Sequence, residues 1–467
     1  MFKKLTSIVV AIFCCQIALS NVKLPSILGD NMVLQQNSEV ALWGLSAPDV
    51  EVVVKTSWNN KIYKVNANSQ GEWKLWAKTP EAGGPYKISF EDGENKIELS
   101  HVLIGEVWIC SGQSNMAMPM IGKKNQPILN SKSIISKAHN PNLHLFNVEQ
   151  DFNTIPLKDV KGSWKLTNPE TVANFSAVAY QFGEMLQEEL NVPVGIIVSS
   201  WGGTPIRAWM NEKALKDFPS YKKKDDLADF RQPSVLYNAM LAPLTAYSIA
   251  GFLWYQGEND RKTSDIYEKA LPAMVNQWKN DWNNENLPFY YVQIAPFHYK
   301  NDQGKEFAPL MREAQLNSAK KMKNAGMVVT SDIGSNKTIH PPDKTTVARR
   351  LANFALNKTY NKENFKVAGP EFKSFQIQKD NIIIDFKNSE GLTLKNNATH
   401  NFEIAGEDQN FYPAEARIME NKLIFHSTKV DKPVAARYGF RNYFEGNLFN
   451  DAGLPASSFR TDNWKIN

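Results

Sequence analysis

The chain has 467 residues, 42% hydrophobic and 22% charged, which is ordinary globular composition with length for two or three domains. Its 53 basic and 48 acidic residues give a formal charge of +5, too weak to argue for nucleic acid as a partner. Gly and Pro are not in excess, and no internal repeat or low-complexity run occurs.

Residues 1–20 read as a secretory signal. Lys3 and Lys4 precede an apolar run from Ile8 to Phe13, and Ala18-Leu19-Ser20 fits a small-residue cleavage site. The run is too short to anchor a mature chain in a bilayer, and no second run of spanning length follows. Phe13 before Cys14 is too large for a typical lipoprotein cleavage site. Loss of Lys3 and Lys4 brings the charge to about +3 and leaves Cys110 as the sole cysteine. The expected location is secreted or periplasmic, with no internal disulfide, and Cys110 reads as a packed small hydrophobe.

Residues 21–104 read as a small β-sandwich region. Short strands at 31–34, 40–43, 50–54 and 86–90 are separated by Gly, Asn, Pro and Asp. Trp73-Lys74-Leu75-Trp76 reads as a further strand with both tryptophans on one face. Residues 105–365 change character. Glu106 to Met116 runs from a strand through Gly112 into a turn where a helix begins at Ser114. Val178, Phe182, Met185, Leu186 and Leu190 fall on one helical face. Strands are expected at 194–198, 249–255, 289–294 and 327–330, with helices near 265–282, 308–323 and 344–356. This alternation predicts an α/β domain with a mostly parallel sheet covered on both faces. Residues 366–467 return to strands, at 375–377, 382–386, 402–404 and 423–425. This second β region is expected to form one module with the first or to lie beside it. The stretch 437–455 reads as an irregular loop placed to cover the active site.

In an open α/β sheet, ligands bind beyond the carboxyl ends of the strands. Four polar clusters fall at such ends: around Ser114, Gly202-Gly203, Gln256 to Asp260, and His340. Acyl transfer needs a serine hydroxyl, a base to take its proton and donors for the oxyanion. Ser114 can be held clear of the sheet as a nucleophile, although a serine at a helix start is also the commonest N-cap. His340 is the best placed of seven histidines, at a strand-to-helix loop. Backbone N–H groups near Ser114 and Gly203, with the Asn259 side chain, are the candidate oxyanion donors. Turn chemistry accounts equally for Gly202-Gly203 and Asn259.

Gly-Gln-Ser-Asn-Met at 112–116, Trp-Gly-Gly-Thr-Pro-Ile at 201–206, Trp-Tyr-Gln-Gly-Glu at 254–258 and Ile-His-Pro at 339–341 together resemble the sialate O-acetylesterase family. The resemblance runs from about residue 29 to 460 and includes Ala436-Arg437-Tyr438-Gly439-Phe440. It implies an SGNH-type hydrolase with a flavodoxin-like core, removing acetyl groups from sugar hydroxyls without metal or other cofactor. It implies Ser114 as nucleophile and His340 as base. Lys337 stands where many SGNH enzymes place aspartate, three residues before the histidine. The third triad member is therefore open: Glu258 is the expected choice because it ends a buried strand, against Asp343, which also reads as an N-cap, or a backbone carbonyl or another acid. Arg207 stands where an acidic residue is expected in many relatives. Gln113 and Arg207 are the candidate substrate-binding residues, Arg207 because a guanidinium suits the carboxylate of sialic acid and otherwise as a structural ion pair. The rivals are an acetylxylan or other polysaccharide deacetylase on the same core, and a non-catalytic carbohydrate-binding protein.

Overall fold

The computed structural model describes residues 22–465 apart from 94, 227, 397 and 398, so the expected signal over 1–20 lies outside the described residues. One strand, Asn95–Gly112, is the axis of the molecule. Its second half is buried on both faces, and Val107 to Cys110 is wholly apolar, as a central parallel strand requires. Val194–Ser200 pairs with it on one side and Gly251–Tyr255 on the other, both parallel. Beyond the first lie Asn140–Asn147 and the antiparallel edge strand Trp164–Thr167. Beyond the second lie Phe289–Val292 and Ala325–Val328. The chain builds one side of the sheet first and then crosses to the other, which places the topological switch point at the end of the axial strand.

Helices cover both faces. Ala177–Leu190 and Lys344–Phe354 pack on each other over one face and bury Val178, Phe182, Leu186, Val347 and Leu351. Ser264–Asp281 and Phe307–Ala319 cover the opposite face with Tyr267, Leu271, Met274, Trp278 and Met311. Cys110 is a free, buried thiol inside the sheet, and burial pushes its pKa well up.

The boundary expected at 104–105 falls inside the axial strand. Its first half pairs with Gly83–Asp92, and Leu103 to Gly105 pairs with Val33–Gln35. One apolar cluster joins Val52, Val54 and Phe90 of the first β region to Trp209, Trp254 and Trp278 of the core. The two tryptophans of strand Glu72–Lys78 do not share a face: Trp73 is buried and Trp76 is 53% exposed. Successive side chains alternate, so residues three apart point to opposite sides.

After residue 370 the chain forms two four-stranded sheets around a separate apolar cluster that includes Ile382, Ile404, Phe425 and Tyr438. Among the described residues no strand of this region pairs with the first β region. The stretch 437–455 is not a simple lid. It includes parts of strands Ala435–Tyr438 and Leu448–Phe449, and it makes no hydrogen bond to Ser114 or His340. It is braced by Arg312, which donates to the carbonyls of Gly439 and Arg441 and to Ser458 Oγ.

Candidate active site

Strand register sets the site. Gly112 is level with Ser200 on one neighbour and Tyr255 on the other. The segments that follow, Gln113-Ser114, Trp201-Gly202-Gly203 and Gln256-Gly257-Glu258, therefore leave the sheet side by side. Gly112 has φ +137°, and a Cβ there would lie 2.3 Å from the Tyr255 carbonyl oxygen, so only glycine lets the chain turn at this point. Ser114 opens the four-residue helix Ser114–Ala117, whose N-cap is Gln113 without a side-chain bond. The Ser114 hydroxyl is not spent on capping: Oγ lies 2.7 Å from His340 Nε2.

His340 is held through its backbone. Its N–H donates to Thr338 Oγ1 at 3.1 Å, and Ser335 Oγ accepts the N–H groups of Lys337 and Thr338. The carbonyl just before it, of Ile339, accepts from Asn115 Nδ2 at 3.3 Å. A proton on Nδ1 leaves Nε2 free to accept from the serine. Burial, aided by the charges of Lys344 and Lys123, pulls the imidazole pKa down to about 4. At neutral pH the ring is unprotonated, as a general base must be.

The residue expected to orient His340 does something else. Glu258 Oε1 accepts from Asn115 Nδ2 at 2.6 Å, its other oxygen has no partner, and His340 Nδ1 is buried without one. Asp343 is no substitute, since it caps the helix Lys344–Phe354 by accepting from Thr346 N and Oγ1. A backbone carbonyl does not fill the place either. Asn115 is instead the hub. Its Oδ1 accepts from Lys344 Nζ at 2.5 Å, while its Nδ2 serves Glu258 and Ile339. Asn115, Glu258 and Lys344 are all buried. Burial raises the pKa of Glu258 and pulls Lys344 down to about 7, against the opposing charges of Glu258 and Asp343. Lys344 opens the helix four residues after His340, and nothing in sequence marked it or Asn115 as a pair.

The loop after Val194–Ser200 lies against the serine. A Cβ on Gly202 would stand 3.4 Å from Ser114 Cβ. Gly203 has φ +72°, and a Cβ there would meet Arg231 Nη2 at 2.9 Å. The N–H groups of Ser114 and Gly203 donate to no other described residue. Asn259 is exposed; its N–H faces Gln113 Oε1 at 3.4 Å and its side chain is unbonded. Gln113 is buried, and its N–H donates to the Tyr255 carbonyl. Among the described residues Arg207 forms no ion pair, and its buried Nε has no partner. Among the described residues no group of three or more His, Cys, Asp or Glu side chains is arranged to hold a metal ion, and no helix is long and apolar enough to cross a membrane.

Residues 104–357, more than half of the chain, match the family described as carbohydrate esterase, sialic acid-specific acetylesterase. The sialate O-acetylesterase of Homo sapiens is 30% identical over 386 residues, covering 74% of this chain and 72% of that protein. The Rattus norvegicus sialate O-acetylesterase is 27% identical over 445 residues and covers 81% of each. The crystal structure of a carbohydrate acetylesterase from Xanthomonas citri superposes with a TM-score of 0.87 at 32% identity, covering 95% of this chain and all of that one. The chain is a carboxylic ester hydrolase and belongs to the sialic acid-specific acetylesterase family of carbohydrate esterases.

Proposed function

We propose that this protein is an exported serine esterase that removes O-acetyl groups from sialic acids through an acyl-serine intermediate. The observation that carries the reading is the 2.7 Å contact between Ser114 Oγ and His340 Nε2 at the switch point of the sheet. As Oγ attacks the acetyl carbonyl, Nε2 takes its proton. The oxyanion that forms is met by the free N–H groups of Ser114 and Gly203 and by the Asn259 side chain. Collapse expels the sugar alkoxide, which receives the proton from the imidazolium. A water then gives a proton to Nε2 and attacks the acetyl-serine, and collapse releases acetate as the proton passes from Nε2 to Ser114 Oγ. Glu258 assists at one remove, by holding Asn115. Gln113 and Arg207 line the substrate side.

The parallel core supports an SGNH-type, flavodoxin-like catalytic unit, and the apolar leader at 8–13 supports export. The Xanthomonas citri relative is described only as a carbohydrate acetylesterase, so acetylated polysaccharide is the second reading. Acetate release from O-acetylated sialic acids and from acetylated xylan separates the two. Equal rates would overturn the substrate assignment. Ser114→Ala should lose roughly 10⁴ to 10⁶ in turnover of any acetyl ester, by analogy with serine proteases, and should lose fluorophosphonate labelling. Unchanged turnover would remove the serine mechanism.

A further inference from the structure

We infer that Arg231, together with Arg207, forms a receptor for a carboxylate on the sugar, and that this receptor makes the site select acidic acetylated sugars. The inference rests on the esterase reading above and adds a residue outside every sequence motif. Six other arginines are engaged, while Arg349 donates only to Thr346 Oγ1 and Arg417 is exposed on the surface. Arg261, Arg350, Arg437, Arg441 and Arg460 each pair with a carboxylate, and Arg312 serves two carbonyls and a hydroxyl. The guanidinium groups of Arg207 and Arg231 make no hydrogen bond or ion pair with a described residue, the Nε of each is buried without a partner, and Arg207 lies 5.8 Å from the Tyr221 ring centroid. Buried donors left unmatched cost stability. That cost is relieved when an anion arrives.

Their placement puts that anion beside the reacting acetyl. Arg231 Nη2 stands over Gly203, whose loop lies against Ser114. Arg207 belongs to the short turn Ile206–Trp209, which packs on the turn Asp229–Arg231. The nearby acid, Asp260, feels the charge of Arg207, but its Oδ2 already accepts from Gln256 Nε2 and from the Ile206 N–H. An apolar surface adjoins the pair. The rings of Trp201 and Phe230 stack 4.7 Å apart at 4°, and the Arg231 guanidinium lies 5.4 Å from the Phe230 centroid. Trp201 and Phe230 are only partly buried, so their free edges offer a flat contact for a sugar ring. A guanidinium fork matches a planar carboxylate better than a lysine ammonium would.

The test compares an O-acetylated N-acetylneuraminic acid with its C1 carboxamide, which keeps the shape and removes the charge. Released acetate gives kcat/KM for each. The native enzyme should favour the acid by about tenfold or more, the scale of one charge-assisted hydrogen bond. Arg231→Gln and Arg207→Gln should each bring the ratio towards one, whatever happens to absolute rates, and Arg231→Lys should recover part of it. A native ratio near one, or a ratio that Arg231→Gln leaves unchanged, would overturn the receptor. Binding of the deacetylated acid to Ser114→Ala protein, followed by calorimetry, reads the receptor without turnover. Arg231→Gln on that background should weaken binding about tenfold, and equal affinity would overturn the inference. Failure of the native protein to release acetate from any acetyl ester would instead remove the esterase reading, and the calorimetric comparison would still decide the receptor.

Discussion

Asn115 uses all of its side-chain polarity within the site, on Lys344, Glu258 and the Ile339 carbonyl. Through Ile339 it ties the helix that carries Ser114 to the loop that carries His340, the task that a third triad residue would have in the proposed mechanism. Asn115→Ala should therefore lower kcat/KM on p-nitrophenyl acetate by about 10²-fold, the scale of a small misplacement of reacting groups. A tenth of that loss or less would show that the His340 loop holds itself. The charge of Lys344 has a separate readout. Below its pKa the imidazolium cannot accept the Ser114 proton, so the acid limb of kcat/KM should lie near pH 4 in the native enzyme. Lys344→Met removes a positive neighbour, which lets the His340 pKa rise, so the limb should move to higher pH while burial keeps it below the usual histidine value. A limb that stays in place would exclude Lys344 as its cause. Ser114 and His340 were legible in sequence because a polar residue at a strand end is a local signal. Asn115 and Lys344 were not, because their bond spans 229 positions and exists only once the sheet aligns them.

At the scale of elements, the alternation of buried strand and amphipathic helix was readable. Expected strands at 194–198 and 289–294 are found at Val194–Ser200 and Phe289–Val292, and the helix near 265–282 at Ser264–Asp281. Ends proved harder than existence, because hydrogen bonds to neighbouring strands set where a strand stops. Trp73-Lys74-Leu75-Trp76 shows a different failure: composition announced a strand, but only counting by two assigns its faces, and Trp76 is left to Lys74, whose ammonium lies 4.7 Å from its ring centroid. Gly112 shows why the turn after the axial strand is exacting. Any side chain there meets the Tyr255 carbonyl and must also adopt φ +137°. Gly112→Ala should lose about 3 kcal/mol or more of stability and most of the activity, checked by denaturant unfolding and acetate release. Gly453 offers a control, with φ +69° but no atom within 4 Å of a Cβ, so Gly453→Ala should cost only about 1 kcal/mol. Equal losses at the two positions would mean that backbone strain, and not the crowding at Gly112, is the constraint.

Across the whole molecule, the shift of composition near residue 105 was real but was not a hinge. It marks the point where one strand passes from mixed neighbours, Gly83–Asp92 antiparallel and Val33–Gln35 parallel, to neighbours that are both parallel. Sequence composition reports which neighbours a residue has, not whether the backbone continues, so the reading divided what the fold keeps whole. The consequence is thermodynamic. Val102 and Ile104 on one half of the strand and Val107 and Ile109 on the other share one apolar cluster with Trp254 and Trp278. Separating the halves would expose that cluster and break the ladder to Val33–Gln35, Gly83–Asp92 and Val194–Ser200 together. Amides of Val102 to Ile104 and of Val107 to Cys110 should therefore exchange with solvent deuterium only through the same global opening, with equal protection and equal dependence on denaturant. Among the described residues the sheet containing Asn381–Lys387 pairs with no strand of the core, and its apolar residues belong to a separate cluster, so its amides should open at a lower free energy. Native-state exchange read by mass spectrometry at increasing denaturant resolves the three groups. If the Val102 to Ile104 amides opened with those of Asn381–Lys387, the first β region would be a detachable module after all, and the axial strand would be two strands joined end to end.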